Sequence, residues 1–205
     1  MSRIFHRSSA IVISLFVILH LTNHVCALAG AEAHMDLMLT LRKWYRNQIA
    51  ETILLSSVLI QTGSGAKLLL QGNNRIRNRF EKLQRWTGVY LLFFLLIHVS
   101  AVWTARIVLQ LDSNLYFGIA GIHQFPFNLF FIPYYALGIW SVFGHLAAVH
   151  ARKMQKTIMG VSPEQQAKGI MGIGVLVTIL IFYALTNRFR GMNIPDEYLH
   201  LFNAF

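Results

Sequence analysis

His20, His24, His98 and His145 are the residues of this 205-residue chain whose type and placement could do chemistry, because each stands inside an apolar run. An imidazole in hydrocarbon must be paired, since an unpaired polar group there costs several kcal/mol. A neutral imidazole is also a common metal ligand. His98 shows the situation most sharply: it lies twelve residues after Trp86 in "RWTGVYLLFFLLIHVSAVWTAR", bounded by Arg85 and Arg106. As a helix rising about 1.5 Å per residue, the twenty residues between those arginines span about 30 Å, the hydrocarbon thickness of a bilayer.

The elements that must position these imidazoles are therefore membrane helices. Hydrophobic residues make up 55% of the chain and charged ones 13%, about half the charge usual in a soluble domain. Five apolar segments can be counted, at about 9–28, 49–70, 86–109, 129–151 and 169–185. The expected fold is all-α, one transmembrane bundle of five helices occupying residues 1–205 as a single domain. No room is left for a soluble catalytic domain. The single cysteine, Cys26, excludes an internal disulfide, a cysteine-ligated iron–sulfur cluster and a zinc ribbon.

A net charge of +10 invites a nucleic-acid reading, but that needs a soluble basic face. Topology accounts for the charge instead. With a cytoplasmic N-terminus, the inner tail and the loops around 67–85 and 151–168 hold twelve of the eighteen basic residues and two of the eight acidic ones. The positive-inside rule then predicts N-in and C-out, with inner loops at 71–85 and 152–168. The basic inner side would meet anionic lipid or an acidic partner. Arg3, Arg7 and "CALAGAEA" resemble a secretory signal, yet the first apolar run is longer than a signal core and is interrupted by His20, Asn23 and His24.

Depth selects partners. His20 and His98 both fall about 18 Å from the inner edge, on helices that run in the same direction and are not neighbours in sequence. Such helices can face each other across a bundle, and two imidazoles at one level can bind one iron from opposite sides. His145 lies about 9 Å from that layer, and the residue at its own depth on the second segment is Gln61, which is no ordinary heme ligand.

At these residues the chain resembles a known family. "QRWTGVYLLFFLLIH" is similar to the third helix of the one-chain, five-helix cytochrome b anchors of succinate dehydrogenase and fumarate reductase, the succinate:quinone and quinol:fumarate oxidoreductases of respiratory complex II. There a Q-R-x-T-G pattern precedes a heme histidine by ten residues, as Gly88 precedes His98. "LHLTNHVCALAGAEA" is similar to the family's first helix, with its heme histidine at His20. "YYALGIWSVFGHLAAVH" is similar to its last heme-binding helix, with His145 seven residues after Gly138. The order and spacing hold over about residues 4–182.

The resemblance implies a membrane-anchor cytochrome b that passes electrons between separate flavoprotein and iron–sulfur subunits and the quinone pool, in a cell inner membrane. It is not catalytic by itself. His20 and His98 would be axial ligands of one heme b, with His24, one turn from His20, as alternative ligand or propionate contact. Two-heme members pair the second-helix histidine with that of the last ligand helix. Gln61 stands at that second-helix position, so a second heme at His145 is not expected. An alternative reading is an orphan membrane protein of the same fold whose histidines tie helices together without heme. A b-type cytochrome serving another dehydrogenase is a further one.

Other features weigh less. "QTGSGAK" at 61–67 lacks the full phosphate-loop pattern and follows no strand. Glu51 and Arg46, at the outer start of the second segment, are the candidates for a quinone site, Glu51 as its proton-handling carboxylate. His6, His34, His123 and His200 fall in expected tails or loops and read as interfacial, and His150 lies near a helix end.

Overall fold

The computed structural model describes residues 2–71 and 78–202. The protein is 81% helical, and no strand occurs among the described residues. The helices are α1 (Ser2–Cys26), α2 (Ala31–Tyr45), α3 (Gln48–Gln71), α4 (Arg79–Ile107), α5 (Leu115–His123), α6 (Asn128–Lys153), α7 (Pro163–Leu185) and α8 (Asp196–Leu199). Five of them, α1, α3, α4, α6 and α7, are long and apolar enough to cross a membrane. The chain is thus a multi-pass membrane protein by the length and composition of its helices.

Local chemistry marks the helix starts. Asn78 accepts the Glu81 N–H at 2.9 Å at the head of α4, and Asn114 accepts the Tyr116 N–H at 2.9 Å at the head of α5. Ser162 and Gln165 form a reciprocal capping box at α7, with Pro163 in its first turn, where no intrahelical N–H is needed. Pro133 lies inside α6, near its beginning. Gly30, at φ 118°, makes the turn from α1 into α2 that a side chain would resist.

α1 packs on α2, α3 and α7, while α4 packs on α3 and α6, and α6 packs on α7. The five spans therefore follow one another around the bundle, with α1 and α4 facing each other across it. Within each span only 6–22% of the most apolar window is buried by protein. The remaining apolar side chains, such as Ile11, Leu15, Leu59 and Leu129, are left for lipid. Glycines permit close approaches between spans: a Cβ at Gly174 would lie 2.5 Å from Phe143 Cβ, and one at Gly138 would lie 2.6 Å from the Phe94 ring.

The tightest apolar core is not in the middle of the bundle. It gathers at the C-terminal end, where Leu115, Ile119 and Ile122 of α5 pack on Ala27, Ile181, Ala184 and Leu185. That end is closed by α5 and the surface helix α2, both of which lie between the expected spans. α2 buries His34 and Met38, one turn apart, against the bundle.

Candidate functional site

α1 and α4 bring two imidazoles together in the bundle interior. The His20 and His98 ring centres are 6.1 Å apart, with their planes inclined at 66°. Each ring is backed by a nearly parallel aromatic ring from its own helix one turn earlier: Phe16 lies 5.4 Å from His20 and Phe94 lies 5.1 Å from His98. Tyr135 of α6 stands edge-on to His98 at 6.3 Å. Among the described residues no hydrogen bond reaches the His98 ring, so stacking alone orients it.

His24 joins the pair from the next turn of α1. Its Nε2 is 3.2 Å from His20 Nε2, so one ring donates and the other accepts. Ligation of a metal through His20 Nε2 would exchange that hydrogen bond for the metal bond. α2 adds a fourth imidazole, one that the sequence alone places in a loop. His34 is 2% exposed, its ring centre 5.3 Å from that of His24, and Asn23 Nδ2 donates to His34 Nε2 at 3.1 Å. Burial pushes the His34 pKa down to about 4, with the Arg42 charge adding to the effect, so the ring is neutral at neutral pH. The signal was present in the spacing of His34, Met38 and Arg42, which is the i, i+4, i+8 stripe of a helix lying on the bundle.

Three buried polar atoms of this cluster have no protein partner: Asn23 Oδ1, His24 Nδ1 and His34 Nδ1. A buried polar atom left unpaired costs about 1–3 kcal/mol, so three in one place mark a site that takes a ligand or water.

His145 sits elsewhere, toward the N-terminal end of the bundle. Its Nδ1 is 3.2 Å from Thr87 Oγ1, and a Cβ on Gly88 would lie 3.4 Å from its ring. Gln61 does not hydrogen-bond it. The Gln61 amide accepts from Ser9 Oγ at 2.7 Å and donates to His6 Nε2 at 3.3 Å, while His6 Nδ1 and Ser64 Oγ are 2.9 Å apart. His6 is thus a helical residue of α1 bonded to α3, not a tail residue, because α1 begins at Ser2. His123 pairs with the Leu185 carbonyl at 3.0 Å and His150 with Gln166 Oε1 at 2.8 Å.

Glu51 and Arg46 lie at the C-terminal end but in separate ion pairs. Arg106 donates to Glu51 from both terminal nitrogens, whereas Arg46 lies 3.5 Å from Asp112, which Arg42 also binds at 3.0 Å. Burial alone would raise the Asp112 pKa, but the Arg42 hydrogen bond and the charges of Arg42 and Arg46 outweigh it and hold the carboxyl below its usual value. Two cavities lie away from the His20, His24, His34 and His98 rings. One of about 410 Å³ is lined by Gly30, Tyr116 and Arg188, and one of about 600 Å³ lies between α6 and α7 beside Leu146, His150 and Ile170.

The His20–His98 spacing can be tested against a heme. An imidazole nitrogen stands about 2 Å from a first-row metal ion. The centre of a five-membered ring with bonds of about 1.35 Å lies roughly 1.1 Å behind that nitrogen. Two rings on opposite sides of one iron then have centres about 6 Å apart, which matches the 6.1 Å observed. Both rings are neutral-ligand types and come from helices on opposite sides of the bundle, with Phe16, Phe94 and Tyr135 beside them and the His24 ring 4.5 Å from His20. The ring-centre spacing of His20 and His98 is thus one that two ligands of a single iron would have, with the His20–His24 hydrogen bond to be given up on binding. His145 hydrogen-bonds Thr87, and among the described residues no other imidazole is hydrogen-bonded to it.

Comparison of the chain with protein-family models, with characterised proteins and with solved structures finds no match.

Proposed function

We propose that this protein is a membrane cytochrome b in which His20 and His98 hold one heme b between α1 and α4, and that it relays electrons for a complex II-like succinate dehydrogenase or fumarate reductase. The observation that carries the reading is the approach of the two rings, 6.1 Å centre to centre, on helices facing each other across the bundle. Heme, when bound, supplies a carrier of one electron at a time. The chain's own part is to orient the two imidazoles by stacking on Phe16 and Phe94. His24 is the neighbour that would meet a heme propionate. His145 is left to bond Thr87.

The wider role rests on the resemblance of the segments around His20, Gly88–His98 and His145 to complex II anchors. On that reading the partners are a flavoprotein and an iron–sulfur subunit docked on the basic N-terminal end, and the substrate-side partner is a quinone. The positive-inside distribution supports a cytoplasmic N-terminus and an external C-terminus, and the resemblance implies a cell inner membrane. In the inner loop at 71–85, whose Arg75, Arg77 and Arg79 are the docking contacts this reading expects, Arg75 and Arg77 lie outside the described residues. Arg79 pairs with Glu164 and lies against the Phe80 ring. Glu51 and Arg46 remain the quinone candidates, with the Glu51–Arg106 pair as the arrangement a quinone headgroup would have to engage.

A second reading has its own observation. The His20–His24 hydrogen bond and the Asn23–His34 bond tie α1 to itself and to α2 with no cofactor, as in an orphan membrane protein of the same fold. One experiment separates the two. The full chain, expressed with ample heme and purified, is examined by reduced-minus-oxidised absorbance. A sharp α-band unaffected by carbon monoxide, one heme per chain, and loss of the band in both His20→Ala and His98→Ala support the cytochrome. A colourless protein overturns it.

A further inference from the structure

We propose that the groove between α6 and α7 binds one anionic phospholipid, with an acyl chain lying on Leu146, Ile170 and Ile173 and the phosphate meeting Lys153.

The groove has the length of one leaflet. Its α6 wall runs from Lys153 back to Phe143. Ten residues of helix rise about 15 Å, half of a hydrocarbon core about 30 Å thick. At Phe143 the two helices touch, because the absent side chain of Gly174 lets α7 come within contact of Phe143 Cβ, and this closes the deep end. Toward Lys153 the cleft opens to about 600 Å³, walled by Leu146 and Val149 on one side and Ile170 and Ile173 on the other. A convex lipid-facing helix touches a passing acyl chain on one side only. A cleft touches it from two helices at once and so gathers more of the small dispersion contacts.

The mouth of the groove carries charge with no internal partner. The stretch 152–168 has four basic residues and one acidic one. The acidic residue, Glu164, is already held by Arg79 and Lys168, and Arg152 is paired with Glu81. Among the described residues Lys153 and Lys156 have no ion pair, and Lys153 lines the groove. Its stem can follow the apolar wall while the ammonium stays at headgroup level. Gln166 braces the turn beside it: its Nε2 donates to the Val161 carbonyl at 2.8 Å while its Oε1 accepts from His150 Nε2.

An apolar cleft ending at mid-bilayer beneath an unpaired cation matches a molecule with one chain-length of hydrocarbon below one negative charge. A partner's membrane helix matches it less well, since such a helix needs an interface along its whole span and the cleft covers half of one. The proposal goes beyond the heme reading and does not depend on it.

The test uses the full-length chain in phosphatidylcholine bilayers doped with either phosphatidylglycerol or phosphatidylcholine that carries a photoreactive diazirine midway along one acyl chain. Labelled positions are found by mass spectrometry. Leu15 of α1 is the reference, being exposed and, like Leu146, about seven residues from the expected inner edge. The ratio of labelling at Leu146, Ile170 and Ile173 to labelling at Leu15 should be about fivefold higher for phosphatidylglycerol than for phosphatidylcholine, the preference one interfacial lysine supplies. Lys153→Gln should remove that preference. Lys168→Gln should leave it, because Lys168 faces Glu164 at 2.9 Å. Raised salt should weaken it. Equal ratios for the two lipids, or equal losses in the two variants, would mean general surface charge and overturn the proposal. So would groove residues that neither lipid labels, which would mean that protein covers the cleft. The wild-type ratio is decisive by itself if Lys153→Gln does not fold.

Discussion

Gly138→Ala is the substitution through which packing and the candidate heme site can be tested together. A Cβ at position 138 would lie 2.6, 2.8 and 3.0 Å from three carbons of the Phe94 ring. Ordinary carbon contacts begin near 3.5 Å, so the ring must retreat by about 1 Å. It has little freedom to do so, because Tyr134 stacks on it at 4.8 Å and His98 at 5.1 Å. Overpacking of this kind costs about 1–3 kcal/mol, against which alanine in place of a helical glycine returns up to about 1 kcal/mol. Gly172→Ala is the matched control, since nothing lies within 4 Å of its added carbon and only the helix gain remains. Unfolding of the two variants in mixed micelles should therefore place Gly138→Ala about 1–3 kcal/mol below Gly172→Ala. Displacement of Phe94 also moves the stack on His98, so heme per chain, read from absorbance, should fall in Gly138→Ala and not in the control. Adding Phe94→Leu to Gly138→Ala should recover part of the lost stability by freeing space. If Gly138→Ala gains stability as Gly172→Ala does and keeps its heme, the reasoning from Gly138 through Phe94 to His98 is refuted.

Further outcomes follow from the same geometry. His145→Ala should leave the α-band and the heme stoichiometry unchanged while losing the Thr87 contact; two hemes per chain in the wild type would contradict the reading of Gln61. His34 should make stability depend on pH. Its folded pKa of about 4 lies below the unfolded value of 6.5, so between these limits the unfolded chain holds the extra proton and stability drops as pH is lowered, by up to about 1.4 kcal/mol per unit. His34→Gln should flatten the unfolding profile in that window, where His24 and Arg42 are the other basic groups facing the ring. A reporter active only in the cytoplasm should work at the N-terminus and fail at the C-terminus, and the reverse would undo the positive-inside assignment.

The five spans and the common depth of His20 and His98 were legible in the sequence, because both depend on one local quantity, the rise of a helix through an apolar stretch of known length. Charge placement along the chain is equally local, which is why topology can be argued without coordinates. Which side chains meet is not local. It depends on the rotation of each helix about its axis and on the order of helices around the bundle. That order put α1 opposite α4 and turned His20 toward His98. It also joined Glu51 to Arg106 across 55 residues of chain and left Arg46 to Asp112. Two histidines that read as loop and tail residues change meaning for the same reason. The turn at Gly30 folds α2 back over the end of α1 and buries His34 beside His24, and the early start of α1 carries His6 to Gln61 and Ser64. Composition decided that the chain enters a membrane. Only tertiary packing decided which imidazoles share a hydrogen bond there, since a polar ring in hydrocarbon takes whatever partner the neighbouring helix presents.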